Sequence, residues 1–223
     1  LSWSRGEGKV PNWLSDDDAI RYARLVEILR ACLSDAGAWV GAQSYDKTIV
    51  SFTRSPEAEH WRPFLESVDE ALVDWLRPQV EAIQAADPDR LVTVGWSDPL
   101  LAAMEANAAL DFFSLHRYPA NSPRWLTYNL AMATELRECF PTKPVVLGEF
   151  GFSSYGEDPA RTAVAESAMW LSALEAGLAG AGKWMLWDLP PGANPRERSF
   201  GLYAANGDSK PAALALPSLA EVL

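Results

Sequence analysis

The order of strand-like and helix-like segments between Leu91 and Asp188 predicts an α/β fold on a parallel sheet: a (β/α)8 TIM barrel, incomplete or N-terminally truncated. Three observations carry this. Apolar runs alternate with amphipathic stretches at crossover spacing, which makes the strands parallel. One run, Val145-Val146-Leu147, leads into Gly148-Glu149-Phe150-Gly151 and so sets a carboxylate where a buried strand ends. Reactive groups of barrels sit at that end of their strands. Finally, the chain contains neither G-x-G-x-x-G nor G-x-x-x-x-G-K-[ST], the phosphate loops expected of a doubly wound sheet.

Taken in order, Asp16 to Asp18 are placed to cap a first helix running through Ile20, Leu25, Ile28, Leu29 and Leu33, with Gly37 ending it. Trp39–Tyr45 and Thr48–Thr53 read as short strands. Pro63 then opens a long amphipathic helix with Leu65, Val68, Leu72, Leu76, Val80 and Ile83 on one face, which Pro78 is expected to kink or divide.

After the turn Asp87–Arg90, Leu91–Trp96 is a strand, and Ser97 or Asp98 with Pro99 starts a helix through Leu101 and Met104. Phe112–Tyr118 is the next strand. Ser122-Pro123 opens a helix with Leu126, Leu130 and Leu136 on one face, leading to the Val145 strand. Asp158-Pro159 repeats that opening for a helix through Val164, Leu171 and Leu174, and Gly180-Ala181-Gly182 leads into a strand over Lys183–Asp188.

The 223 residues are 48% hydrophobic and 22% charged, enough for one domain with a sizeable core. A net charge of -11 argues against nucleic acid and anionic membrane surfaces as partners and is compatible with a neutral ligand. No apolar run is long enough to span a bilayer. The start has no signal-peptide core and no initiating Met, so a fragment or processed product is expected. Ten tryptophans supply flat faces for core packing and for stacking on sugars. Cys32 and Cys139 lie too far apart in sequence to suggest a disulfide framework. With two histidines, His60 and His116, no metal site is suggested, and no cofactor is expected.

Strand alternation points His116 and Tyr118 the same way, and Trp96 and Trp187 fall at strand ends. Taken singly, such tryptophans are more often core, and such a His and Tyr more often satisfied by loop backbone. Together the strand-end motifs resemble the C-terminal half of a clan A glycoside hydrolase, the retaining barrel enzymes that include the cellulase- and mannanase-like family. The carrying segments are Ala86–Gly95, Asp111–Pro119, Lys143–Gly151 and Gly182–Asp188, which look like strands five to eight, and Phe200–Ala212, which is similar to the family's closing tail. On this reading 1–223 is one barrel domain, with 91–223 matching strands five to eight and the tail.

The resemblance implies hydrolysis of a β-linked glycoside or polysaccharide, with carbohydrate as the partner. Glu149 would be the nucleophile that forms a covalent glycosyl-enzyme. His116 and Tyr118 would match the family's His-x-Tyr pair, and Trp187 would be the aromatic floor beside the cleaved bond, with Trp96 a further substrate contact. The chemistry requires two carboxyl groups about 5 to 5.5 Å apart, one ionised and one protonated.

In this family the acid/base is a Glu directly after Asn at the end of strand four, and the chain contains no Asn-Glu dipeptide. Either that strand lies in a missing N-terminal part, or Trp39–Tyr45 is strand four and Asp46, Glu57 or Glu59 donates the proton. Two further readings stand beside the hydrolase: a carbohydrate-binding barrel that has lost its acid/base, and a half-barrel stable only with its other half. A serine hydrolase lacks its G-x-S-x-G elbow.

Overall fold

The computed structural model describes residues 15–43, 47–118, 123–192 and 194–221. Among the described residues, three helices and one 3-10 turn precede the sheet. Helix α1, Asp16–Ala42, is capped by Ser15, whose Oγ accepts from the Asp18 amide at 3.2 Å. Its three leading aspartates favour the positive end of the helix dipole. Gly37 does not end it. Cys32, Ala36 and Val40 form a buried stripe at four-residue spacing, so the helix runs through the segment read as a strand from Trp39. The indole of Trp39 packs on Phe52 at 5.9 Å.

The second expected strand is also a helix, α2, Ile49–Phe52, capped by Thr48. The buried carboxylate of Glu135 explains the choice. It accepts from the hydroxyl of Thr48 and from Ser51 Oγ at 2.5 Å and Ser51 N at 3.2 Å, groups that a helical turn aims together. A 3-10 turn, Pro56–Trp61, leads into α3, Arg62–Ala86, with Leu65, Leu76 and Val80 buried. Pro78 does not divide α3: it lies on the exposed face, and Gln79 Nε2 donates to the Trp75 carbonyl in the turn that the proline disturbs, at 2.6 Å. No helix of the described residues is long and apolar enough to cross a membrane.

The sheet has four parallel strands in chain order: β1 Gly95–Trp96, β2 Phe113–Arg117, β3 Val145–Phe150 and β4 Gly180–Lys183. Helical crossovers separate them: α4 Pro99–Ala102 with a 3-10 turn Glu105–Ala109, α5 Pro123–Cys139, and α6 Pro159–Glu175. Asp98 and Asp158 cap α4 and α6 as the Asp-Pro openings predict, accepting from the amides of Leu100 and Ala160 at 2.8 and 2.9 Å. The first crossover is broken where one helix was expected, and only Gly95 and Trp96 of the Leu91–Trp96 run enter the ladder. Leu91–Val94 is tied instead by Val92 N to Asp111 Oδ2 at 2.7 Å and Thr93 Oγ1 to the Phe112 carbonyl at 2.6 Å.

The main core lies between sheet and helices. Phe113, Leu115, Val145, Leu147 and Phe150 pack against Met132, Ala133 and Leu136 of α5 and Ala165 and Met169 of α6. On α6 the expected apolar face is turned outward, with Val164 70% and Leu174 49% exposed. Alanines do the packing: Ala165 and Ala173 face the core, and Ala163 meets Ala212 and Ala213 of the closing helix α7, Pro211–Ala220. Small residues let the helix approach on both sides, which the larger Val and Leu would prevent.

β4 begins three residues earlier than the sequence reading has it. A Cβ at Gly182 would come within 2.6 Å of the Gly148 carbonyl, so glycine lets this segment lie against β3. Residues 184–188 run past the rim of the sheet and pair with the tail, as in Leu202 N to the Met185 carbonyl at 3.0 Å and Asp188 N to the Tyr203 carbonyl at 2.9 Å.

Candidate active site

The site forms at the carboxyl ends of β2, β3 and β4, and an irregularity in β3 creates it. Leu115 is level with Leu147, yet His116 is level with Glu149, so Gly148 is an extra residue in β3. Burial along β3 changes phase at the same point: Val145, Leu147 and Phe150 are buried while Val146, Gly148 and Glu149 are part-exposed. In a regular strand Glu149 would share the helix-facing side of Leu147. The bulge turns it to the face of His116, a common use of bulges beside functional groups.

Tyr118 Oη then donates to Glu149 Oε2 at 2.6 Å, and His116 Nδ1 lies 3.3 Å from the same oxygen. The His116 and Glu149 side chains are 25% and 30% exposed, so the carboxylate is screened yet reachable. The His116 ring lies over Gly95, where a Cβ would come within 2.3 Å of it, and a Cβ at Gly148 would meet Ser114 Oγ at 2.0 Å. Both glycines leave room for side chains of the face that carries the site. Arg117 points to the opposite face, its Nε donating to Asn129 Oδ1 at 2.7 Å and its Nη1 to the Ser97 carbonyl at 3.1 Å.

Burial, then the bond to Glu149, then the negative charges of Glu149 and Glu197, hold the Tyr118 phenol well above the usual tyrosine range. Tyr118 is therefore a donor to the carboxylate at any ordinary pH. The Phe200 ring meets it edge-on at 5.6 Å and fixes its plane.

The predicted residues divide. Glu149, His116 and Tyr118 come together. Trp187 is 49% exposed in the segment beyond β4 and lies on Tyr203 at 4.9 Å, a flat accessible surface. Trp96 does not join them. It is 7% exposed, packs at 6.4 Å from Trp75 of α3 and belongs to the core, because neighbouring strand residues face opposite sides and Gly95 takes the site side.

Glu59 is not brought to the rim either. It sits on the 3-10 turn Pro56–Trp61, exposed and paired with Arg62 at 3.3 Å. Asp46 lies outside the described residues. Trp184 lies inside the strand Lys183–Asp188 that the sequence predicts, a position that by itself gives no sign of a place at the rim. It follows the last residue of β4, donates its amide to the Phe150 carbonyl at 2.7 Å, and is 41% exposed beside the exit of β3. The signal for its place was Gly180-Ala181-Gly182, whose glycines mark a strand lying close to its neighbour.

No family model and no curated protein matches the chain. Solved structures do. A β-glucuronidase from an uncultured Clostridium sp. superposes with a TM-score of 0.59 at 15% identity, over 70% of this chain and 30% of that one. A GH2 β-galacturonidase from Eisenbergiella tayi gives 0.56 at 17% identity, over 68% and 30%. An exo-β-1,4-mannosidase from Opitutaceae bacterium strain TAV5 gives 0.53 at 20% identity, over 69% and 33%. The chain thus spans a third or less of the length of these proteins. At such identities the likeness is one of fold: an α/β arrangement on a parallel sheet that is found in β-glycosidases.

Proposed function

We propose that this chain carries the nucleophile side of a retaining β-glycosidase site, and that its four strands are the carboxyl-terminal half of a (β/α)8 barrel. The observation that carries the reading is the bulge at Gly148, which presents Glu149 to Tyr118 and His116 on one face. The strand order supports it, since it follows the chain without the reversal that marks a doubly wound sheet.

In the reaction, Glu149 attacks the anomeric carbon of a β-glycoside as the bond to the leaving oxygen breaks. Among the described residues both contacts to this carboxylate fall on Oε2, so Oε1 is the oxygen that attacks. A second carboxyl group protonates the departing oxygen and then takes a proton from the water that releases the sugar, restoring Glu149 with retention at the anomeric carbon. Trp184 and Trp187 offer their faces to the sugar rings. On the half-barrel reading that second carboxyl group belongs to strand four, outside these four strands: Glu59 is turned to solvent against Arg62, and Asp46 serves only if Trp39–Tyr45 is strand four, where α1 runs instead.

The test is intact-mass analysis and peptide mapping after incubation with 2-deoxy-2-fluoro glycosides bearing dinitrophenyl leaving groups, which depart without an acid. A label on Glu149, absent from Glu149→Gln, is expected. A folded, monomeric chain that takes no label from any member of the panel would remove the hydrolase reading and leave a carbohydrate-binding barrel without its acid/base.

A further inference from the structure

We infer that the buried pair Lys183–Glu166 is a positioning device for the site: it holds the exits of β3 and β4 and the tail residue Phe200 in one arrangement around Glu149. The inference rests on the reading of Glu149 as the nucleophile. Lys183 is the last residue of β4 and faces α6, with its side chain 4% exposed and that of Glu166 2% exposed. An ammonium has three donors, and here each has a partner. Nζ meets Glu166 Oε1 at 3.0 Å, donates to the Phe200 carbonyl at 2.5 Å, and donates to the Trp184 carbonyl.

Each acceptor belongs to a different part of the rim. The Trp184 carbonyl is where β4 leaves the sheet. Phe200 is the ring against Tyr118, which in turn bonds Glu149. Burial pushes the Glu166 carboxyl up, while the charge of Lys183 and the nearby backbone amide of Phe152, two residues past the end of β3, act to lower it. The backbones at this level are in contact, since a Cβ at Gly151 would fall 2.2 Å from the Trp184 carbonyl. A shift at Lys183 therefore passes through Phe200 to Tyr118, and through Trp184 to the wall beside Glu149.

A buried ion pair is weak support for stability, because withdrawing two charges from water offsets most of their attraction, and well-packed apolar replacements are often neutral or stabilising. The variant Lys183→Met/Glu166→Leu should still fold, because removing two buried charges offsets much of the cost of leaving the Trp184 and Phe200 carbonyls without their donor. Yet the rate of Glu149 trapping by the dinitrophenyl 2-fluoro glycoside should fall about a hundredfold, the cost of displacing a reacting group by about an ångström. The concentration of probe needed for half-maximal rate should change little.

A second readout does not depend on turnover. In a spectrophotometric titration taken as the difference from Tyr118→Phe, the Tyr118 phenol should ionise at lower pH in the double variant than in wild type. Wild-type trapping with an unchanged Tyr118 titration would overturn the inference and make the pair a packing element only. If wild type takes no label, the glycosidase reading fails and the titration alone decides the positioning role. Glu166→Gln, which keeps side-chain shape, carries the same readouts should the double variant not fold.

Discussion

The phenol of Tyr118 donates to Oε2 of Glu149 at 2.6 Å, joining the ends of two neighbouring parallel strands. Burial, then this bond and nearby negative charge raise the phenol above its ordinary value of 10.0. The folded protein therefore keeps that proton where the unfolded chain gives it up. Stability from this group is intact below pH 10 and declines as pH rises beyond it. Thermal unfolding followed above pH 10 should show that decline, and Tyr118→Phe should flatten it. The same substitution should slow trapping of Glu149 about tenfold, the scale of one hydrogen bond to a charged acceptor.

The bulge can be tested through the space it needs. Gly148→Ala places a methyl group 2.0 Å from Ser114 Oγ and should destabilise by roughly 1 to 3 kcal/mol in denaturant titration. Removing the obstacle in Ser114→Gly/Gly148→Ala should recover most of the loss. Two additive losses would show that the glycine serves backbone conformation instead.

Helices α5 and α6 offer a contrast. Leu136 is fully buried against the sheet, and Leu136→Ala should cost about 2 to 5 kcal/mol. Val164 sits at a position of similar apolar character in the sequence but is 70% exposed, and Val164→Ala should stay within about 0.5 kcal/mol. Chemical denaturation of both variants checks the assignment of faces.

The two thiols should differ sharply in reactivity. Cys32 is fully buried, and burial followed by the charges of Asp35 and Asp98 pushes its thiol up to about 11. Cys139 is part-exposed. A maleimide at neutral pH should modify Cys139 alone in the folded chain and both thiols in denaturant, as read by intact mass.

The three central crossovers were legible in the sequence because their signals are local. Asp98 and Asp158 before proline mark helix starts, and Val145-Val146-Leu147 is a continuous apolar run whose Val145 and Leu147 are buried against the helices while Val146 is part-exposed on the other face. The strand-end placing of Glu149, His116 and Tyr118 follows from the same runs. What escaped was set by tertiary partners. Thr48–Thr53 has β-branched residues suited to a strand, but the distant carboxylate of Glu135 selects a helical turn. Trp39 and Val40 look extended until Cys32 and Ala36 are counted with them. Glycine is more than punctuation here: Gly37 lies inside α1 rather than ending it, and Gly182 lets β4 lie against β3. Gly148, isolated within a strand pattern, is itself the sequence sign of the bulge.

The seat of His116 has a consequence for how such a site can change over generations. Its ring fills the volume that any side chain at Gly95 would need, at 2.3 Å from the position of a Cβ. Position 95 is not free to drift while the histidine stays. A larger residue at 95 arises only where the imidazole has already gone, and once it has arisen the histidine cannot return. Across related chains the two positions should therefore vary as a pair, and lineages that lost the histidine long ago should be recognisable by what has grown into the glycine's place.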